Sequence, residues 1–237
     1  MKFYRKLNKI HAMSFDLDDT LYENQSVIRT TLLETLHFMQ AWHPRLAEVS
    51  WQDYQYHQAQ LLQKDPALVH DVSLCRQLTL QQLLHCRGLS TTESQVGTDA
   101  IMSVFYHWRS AVTITDGTHH LLRTLAECLP LIAITNGNAD PKRMGIDHYF
   151  QFVLCAGPDG RAKPFADLFQ KAERRLAIEA NHILHIGDDL RTDVQGALLQ
   201  GYQSCWLNPS NNLRNLKAAR LLPHIEITSL ASLPLLI

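Results

Sequence analysis

The sequence predicts an α/β fold built on a parallel sheet, with an all-helical block inserted near its start. Three observations support this. Five short apolar runs end abruptly in polar or turn-forming residues. Segments of helical period separate the later runs. Residues 23–111 carry helical periods and no strand pattern.

The runs are 10–15, ending at Asp16; 131–134, ending at Thr135-Asn136-Gly137-Asn138; 152–156, ending at Gly157-Pro158-Asp159-Gly160; 183–186, ending at Gly187-Asp188-Asp189; and 204–207, ending at Asn208-Pro209. Runs this short and mostly apolar, bounded by Gly, Pro, Asn and Asp, read as strands buried on both faces. The helical segments between them each present an apolar stripe. Residues 118–128 offer Leu121, Leu122 and Leu125. Residues 164–176 begin with Pro164, which suits a first helical position, and offer Phe165, Leu168, Phe169, Ala172 and Leu176. Residues 192–200 offer Val194, Ala197 and Leu198. Strand and helix alternate from about residue 112 onward, which predicts right-handed crossovers.

The insertion reads as four amphipathic helices. Residues 26–39 carry Ile28, Leu32, Leu36 and Met39 on one face, and 51–63 carry Trp51, Tyr54, Gln58, Leu61 and Leu62. Residues 72–87 are rich in Leu and Gln and stop at Gly88. Residues 98–109 carry Ile101, Val104, Phe105 and Trp108. A helical bundle is expected for 23–111, with the α/β core formed by 1–22 and 112–237. Trp51, Tyr54, Tyr56, Tyr106 and Trp108 read as bundle core, with room for one of them to meet a ligand's ring.

Composition narrows the function. The chain has 237 residues, 46% hydrophobic, enough for a large buried core, and its 22 Lys+Arg nearly balance its 23 Asp+Glu. A nucleic-acid partner is not expected, because such proteins carry a basic surplus to neutralise phosphates. The five cysteines, Cys75, Cys86, Cys128, Cys155 and Cys205, are odd in number and form no Cys-x-x-Cys pair. They read as buried or half-buried free thiols, not as a disulfide framework or a zinc site. The 13 histidines are scattered, and His185 within a strand reads as packed, not as a ligand. The cationic N-terminus lacks a following apolar run, so no signal peptide and no membrane span are expected and a cytoplasmic location is the default.

Ligands of parallel α/β sheets bind outside the carboxyl ends of the strands. That rule gathers Asp16, Asp18, Thr135, Asn136, Asp188 and Asp193 at one edge, joined by Lys163 from the loop after the third run. Several carboxylates in one crevice raise each other's pKa. Oxygen-only donors without His or Cys favour Mg²⁺ as the relieving cation. Asp16 can attack phosphorus, and Asp18 can protonate the leaving oxygen and then take a proton from water. Thr135 offers a hydroxyl and Asn136 an amide to phosphate oxygens, while Lys163 adds positive charge. Asp19 and Asp189 read as loop-orienting or capping residues.

These motifs resemble the haloacid dehalogenase superfamily. The matches are Asp16-Leu17-Asp18-Asp19-Thr20, Thr135-Asn136, Lys163 before Pro164, and Gly187-Asp188 followed by Asp193. The resemblance implies a Rossmann-like core and a helical cap closing over the site. It implies Mg²⁺ held by Asp16, the backbone carbonyl of Asp18, and Asp188, with Asp193 supporting the metal and Lys163 from behind. A narrower resemblance, on His70-Asp71-Val72, Trp108-Arg109-Ser110 and Leu221-Leu222-Pro223-His224, is to bacterial phosphatases of riboflavin biosynthesis. It implies 5-amino-6-(5-phospho-D-ribitylamino)uracil or flavin mononucleotide as the small phosphorylated partner. Sugar-phosphate phosphatase or phosphomutase activity remains open on the same motifs. A dehalogenase, which attacks carbon without Mg²⁺ and generally lacks the second aspartate, is disfavoured by Asp18. A non-catalytic phosphate-binding protein is disfavoured by the complete residue set.

Overall fold

Strands Ala12–Phe15 (β2), Leu131–Thr135 (β3), Ile183–Gly187 (β5) and Gln203–Leu207 (β6) are buried at every residue. Burial on both faces is the condition that makes a parallel strand continuously apolar. The structure, a computed structural model, describes residues 1–210 and 221–237. Its sheet has seven strands in the order β1-β7-β6-β5-β2-β3-β4, where β1 is Lys2–Phe3, β4 is Val153–Cys155 and β7 is Ile225–Ile227. All neighbours are parallel except β1 and β7. Helices lie on both faces.

The chain divides into two units. The second in size comprises Asn24–Val112 with Asn138–Asp140, and is helical: α1 Gln25–Trp42, α2 Trp51–Lys64, α3 Val72–Cys86 and α4 Thr91–Arg109. Ser50 with Asp53, and Ser90 with Glu93, form capping boxes that satisfy the first amides of α2 and α4. A core of Met39, Leu46, Val49, Tyr54, Leu80, Leu83, Leu84 and Ile101 holds this unit together. The larger unit comprises Met1–Glu23, Thr113–Gly137 and Pro141–Ile237, and contains the sheet. Its helix α5, Asp116–Cys128, buries Leu121, Leu122 and Leu125, the stripe that the sequence predicts. One of its core layers joins Ala12, Ile132, Ile134, Leu154 and Ile183 to Leu168, Phe169 and Ala172 of helix α6, Ala166–Leu176.

Several sequence expectations need correction. Pro164 does not open a helix. The Lys163-Pro164 peptide is cis, Phe165 is the extended capping residue and is 42% exposed, and α6 starts at Ala166. The helix expected over 192–200 is a π-helical turn, Leu190–Gln195, followed by α7, Gly196–Leu199. The fully buried face of α1 is Thr31, Thr35 and Met39, with Ile28, Leu32 and Leu36 only half-buried beside it. Tyr56 is 62% exposed and is not bundle core, and Cys86 and Cys128 are exposed thiols. Strands β1 and β7 have no counterpart in the sequence pattern. Among the described residues, no helix is long and apolar enough to cross a membrane.

Candidate active site

Asp16 follows β2, Thr135 ends β3, Lys163 lies beyond β4, and Asp188 follows β5, so the predicted residues meet at one sheet edge. Lys163 is its centre. The Nζ donates to Oδ1 of Asp16 at 2.6 Å, to Oδ1 of Asp193 at 2.6 Å and to the carbonyl of Ile134 at 2.7 Å. An ammonium has three N–H groups, and all three are directed at protein oxygens. Lys163 is 3% exposed, so these bonds lie out of water, where charge-assisted bonds are strongest.

Asn136 is engaged with the backbone of Lys163. Its Oδ1 accepts from the backbone N–H of Lys163 at 2.7 Å, and its Nδ2 donates to the Lys163 carbonyl at 2.9 Å. The side chain thus holds the Lys163 backbone from both sides. The Thr135 hydroxyl accepts from the amide of Gly137 at 2.9 Å, which leaves its own proton to donate.

Asp193 has both carboxylate oxygens engaged. Oδ1 accepts from Lys163 and from His185 Nε2 at 3.1 Å, and Oδ2 accepts from the amide of Asp189 at 3.0 Å. It reaches this position because Gly187 has no side chain: a Cβ there would lie 2.2 Å from the Asp193 Cγ. The glycine of the Gly187-Asp188 pair thus makes room for Asp193. Asp189 caps the next turn, with Oδ1 accepting from the amides of Arg191 at 2.8 Å and Thr192 at 2.6 Å. Asp19 has φ 55°, a left-handed conformation that aspartate tolerates better than most residues, and it turns the chain after Asp18. The Asp18 carboxylate accepts from the Tyr22 hydroxyl.

The electrostatics follow from burial and neighbours. Burial pushes the Asp16 carboxyl well up from its ordinary range; Lys163 pulls it back and Asp193 adds to the rise. Burial, then Asp193 and Asp19, push Asp188 up to about 7. Burial opposes ionisation of Asp193 too, but Lys163 and His185 outweigh it and hold its carboxyl below the ordinary range. Burial alone would lower Lys163, yet Asp16 and Asp193 hold it above its ordinary value. Oxygens of Asp16, Asp188 and Asp193 lie within 4.8 Å of one another. One ammonium pairs with Asp16 and Asp193 while Asp188 adds a third carboxylate, so negative charge is in excess at this edge. That excess, on oxygen donors alone, fits a hard divalent cation. Asp16 and Asp188 suit direct ligation better than Asp193, both of whose oxygens are already engaged.

A family model described as haloacid dehalogenase-like hydrolase matches residues 10–201. The chain belongs to that family. The Escherichia coli K12 protein named 5-amino-6-(5-phospho-D-ribitylamino)uracil phosphatase YigB is 46% identical over 238 residues, covering 100% of both chains. Human N-acylneuraminate-9-phosphatase is 25% identical over 98% of this chain and 95% of its own. Among solved structures, a 2-haloacid dehalogenase from Pseudomonas syringae pv. Tomato DC3000 aligns with a TM-score of 0.91 and 33% identity, over 96% of this chain and 97% of that one.

Sequence reasoning reads His185 as packed, as its burial bears out, but misses Ser14 and the bond from His185 to Asp193. The signal was available: Ser14 and His185 are each a polar residue inside an otherwise apolar strand, and the two are in register across β2 and β5.

Proposed function

We propose that this chain is a Mg²⁺-dependent phosphatase that hydrolyses a small phosphate monoester through an aspartyl-phosphate on Asp16. The substrate would be 5-amino-6-(5-phospho-D-ribitylamino)uracil or flavin mononucleotide. The observation that carries the chemistry is the Asp16 carboxylate itself. It is 7% exposed at the carboxyl edge of the sheet and held through Oδ1 by Lys163, with Asp18 two residues on. The substrate rests on the full-length 46% identity to the riboflavin-intermediate phosphatase.

Asp16 forms a bond to phosphorus as the ester P–O bond breaks in line with it. The departing alkoxide takes a proton from Asp18, which the Tyr22 hydroxyl orients. Water then attacks the aspartyl-phosphate, giving its proton to Asp18 while the Asp16–phosphorus bond breaks and inorganic phosphate forms. Lys163 fixes the nucleophile's direction and, with its donors directed at protein oxygens, acts on the phosphate through its charge. Thr135 offers its hydroxyl to a phosphate oxygen. Mg²⁺, held by Asp16, the Asp18 carbonyl and Asp188 with Asp193 behind, would supply the charge that neutralises the phosphate oxygens. Residues 1–22 and 112–237 would form the catalytic core, and the helical residues 23–111 the cap that selects the substrate.

A simple comparison tests the chemistry: turnover of a generic phosphate ester with and without Mg²⁺, beside Asp16→Asn. The variant is expected to be inactive and turnover to require the metal. Metal-independent turnover, or full activity in the variant, sinks the mechanism. For the substrate, kcat/KM should favour the ribitylaminouracil phosphate and flavin mononucleotide over sugar phosphates; no such preference removes the flavin assignment.

A further inference from the structure

Behind Asp193 lies a polar chain that the reaction does not itself use. Ser14 Oγ is 2.9 Å from His185 Nδ1, and His185 Nε2 is 3.1 Å from Asp193 Oδ1. Ser14 is fully buried, and His185 is 1% exposed. Their strand neighbours Ala12 and Ile183 lie in an apolar layer with Ile132, Ile134 and Leu154. The Phe169 ring meets the imidazole edge-on, with centroids 5.2 Å apart. A buried imidazole in such a layer is unfavourable unless both nitrogens are satisfied, and here both are.

Chemistry fixes the direction of each bond. Ionised Asp193 only accepts, so His185 Nε2 carries the ring proton. Nδ1 is then an acceptor, and the Ser14 hydroxyl donates to it. The chain runs Ser14 to His185 to Asp193, with Lys163 bridging Asp193 and Asp16. Without His185, the Asp193 Oδ1 would have Lys163 as its side-chain donor and could follow the ammonium as it moves. With His185 and the Asp189 amide in place, three donors from three directions fix the carboxylate plane.

We propose that Ser14 and His185 are positioning residues that lock Asp193, and through it aim the Lys163 ammonium at Oδ1 of Asp16, which orients the nucleophilic carboxylate. This rests on Asp16 being the nucleophile, as proposed above. Support of this kind, acting behind the groups that touch substrate, should appear in kcat more than in KM.

The test uses the full chain and four variants. His185→Leu keeps bulk but donates nothing, and should lower kcat about 10–100-fold while KM moves less than about threefold. His185→Gln keeps a donor toward Asp193 and an acceptor toward Ser14, and should recover most of that loss. Ser14→Ala should lower kcat by a smaller factor. In the Ser14→Ala/His185→Leu double variant, removing Ser14 should add nothing, because both act through one chain. A folded His185→Leu with wild-type kcat overturns the proposal, as do equal losses in Leu and Gln, a loss confined to KM, or additivity in the double variant. If His185→Leu fails to fold, Ser14→Ala and His185→Gln decide, and an unchanged kcat in Ser14→Ala overturns it. Nitrogen-15 NMR of the wild-type imidazole gives a readout without turnover. The Nε2–H tautomer is expected and the Nδ1–H tautomer refutes the chain, even if the protein shows no phosphatase activity and the functional reading itself falls.

Discussion

Gly187→Ala is the substitution with the sharpest predicted consequence. The new Cβ would stand 2.2 Å from Asp193 Cγ, 2.4 Å from its Oδ2 and 2.5 Å from its Cβ. Ordinary carbon contacts are about 3.5–4.0 Å, so the Asp193 side chain would have to move by more than about an ångström. It is 2% exposed and bonded to Lys163, His185 and the Asp189 amide. If it stays, the overpacking costs about 1–3 kcal/mol, towards the upper end because the clash is deep. If it swings away, a buried ion pair is broken, at about 3–5 kcal/mol. The chain takes the cheaper course, so a loss near 3 kcal/mol is expected, or about 6–12 °C in Tm for a chain of this size. Either course disturbs Lys163, and kcat should fall about 10–100-fold. Gly145→Ala is the control. Gly145 has φ 72° with nothing within 4 Å of the position a Cβ would take, so backbone strain of about 1 kcal/mol is expected, with activity retained. Thermal unfolding and kcat/KM on one phosphate ester measure both variants. A Gly187→Ala protein with wild-type Tm and activity would refute the steric reasoning and the central place given to Asp193.

Three further outcomes are expected. Burial alone would raise the Glu226 carboxyl, but hydrogen bonds from Tyr4 and Asn208 and the charge of Lys2 hold it below its ordinary range. A depressed folded pKa gives stability that is present above the unfolded value and lost as pH falls through the folded one. Glu226→Gln should therefore be about 1–2 kcal/mol less stable at neutral pH, with the gap closing in acid, as read by urea unfolding across pH. Mg²⁺ at about 100 times its Kd should stabilise the wild type by about 2.7 kcal/mol, and Asp188→Asn should lose most of that thermal shift; an equal shift in the variant would remove Asp188 from the metal site. In α4, an alanine Cβ at Gly97 would meet Leu84 at 2.6 Å and Trp42 at 2.7 Å. Gly97→Ala should be net destabilising, because overpacking of about 1–3 kcal/mol outweighs the better helix propensity of about 1 kcal/mol; a raised Tm would contradict this.

The central strands are legible because burial on both faces leaves short, mostly apolar runs: 131–134 and 183–186, the latter broken only by His185, fall within a residue of Leu131–Thr135 and Ile183–Gly187. The edge strands are not, for a physical reason. Lys2–Phe3 is exposed, and Ile225–Ile227 contains Glu226, whose buried carboxylate is satisfied by Tyr4, Asn208 and Lys2 from other parts of the sequence. The start of α6 is displaced from its expected place because Asn136 holds the backbone of Lys163, a contact across 27 positions that outranks the local preference of Pro164. The strand-end rule assembles Asp16, Thr135, Lys163 and Asp188 correctly at one edge. It does not separate Asn136, which holds a backbone, from Thr135, whose hydroxyl proton remains to be donated.

Two relatives of this chain carry names for different reactions, and similarity alone does not choose between them. The structure that aligns at a TM-score of 0.91 is named a haloacid dehalogenase, while the full-length relative at 46% identity is named a phosphatase. The chemistry of the leaving group does choose. Halide leaves carbon as a stable anion and needs no proton, so a nucleophilic carboxylate with a nearby cation suffices. An alkoxide leaving phosphorus is strongly basic and needs an acid in line with Asp16. Asp18, whose carboxylate accepts from the Tyr22 hydroxyl, is the residue proposed above for that acid. Phosphate also brings more negative charge to an edge where three carboxylates cluster and one lysine pairs with two of them. A haloacid would bring less and have less need of a divalent cation. Asp18→Ala should therefore abolish phosphate-ester turnover while leaving Asp16 and Lys163 in place. Retained turnover on an ester with a poor leaving group would move the general acid to another side chain, whereas retention only with a phenolate-type leaving group would leave Asp18 in that role.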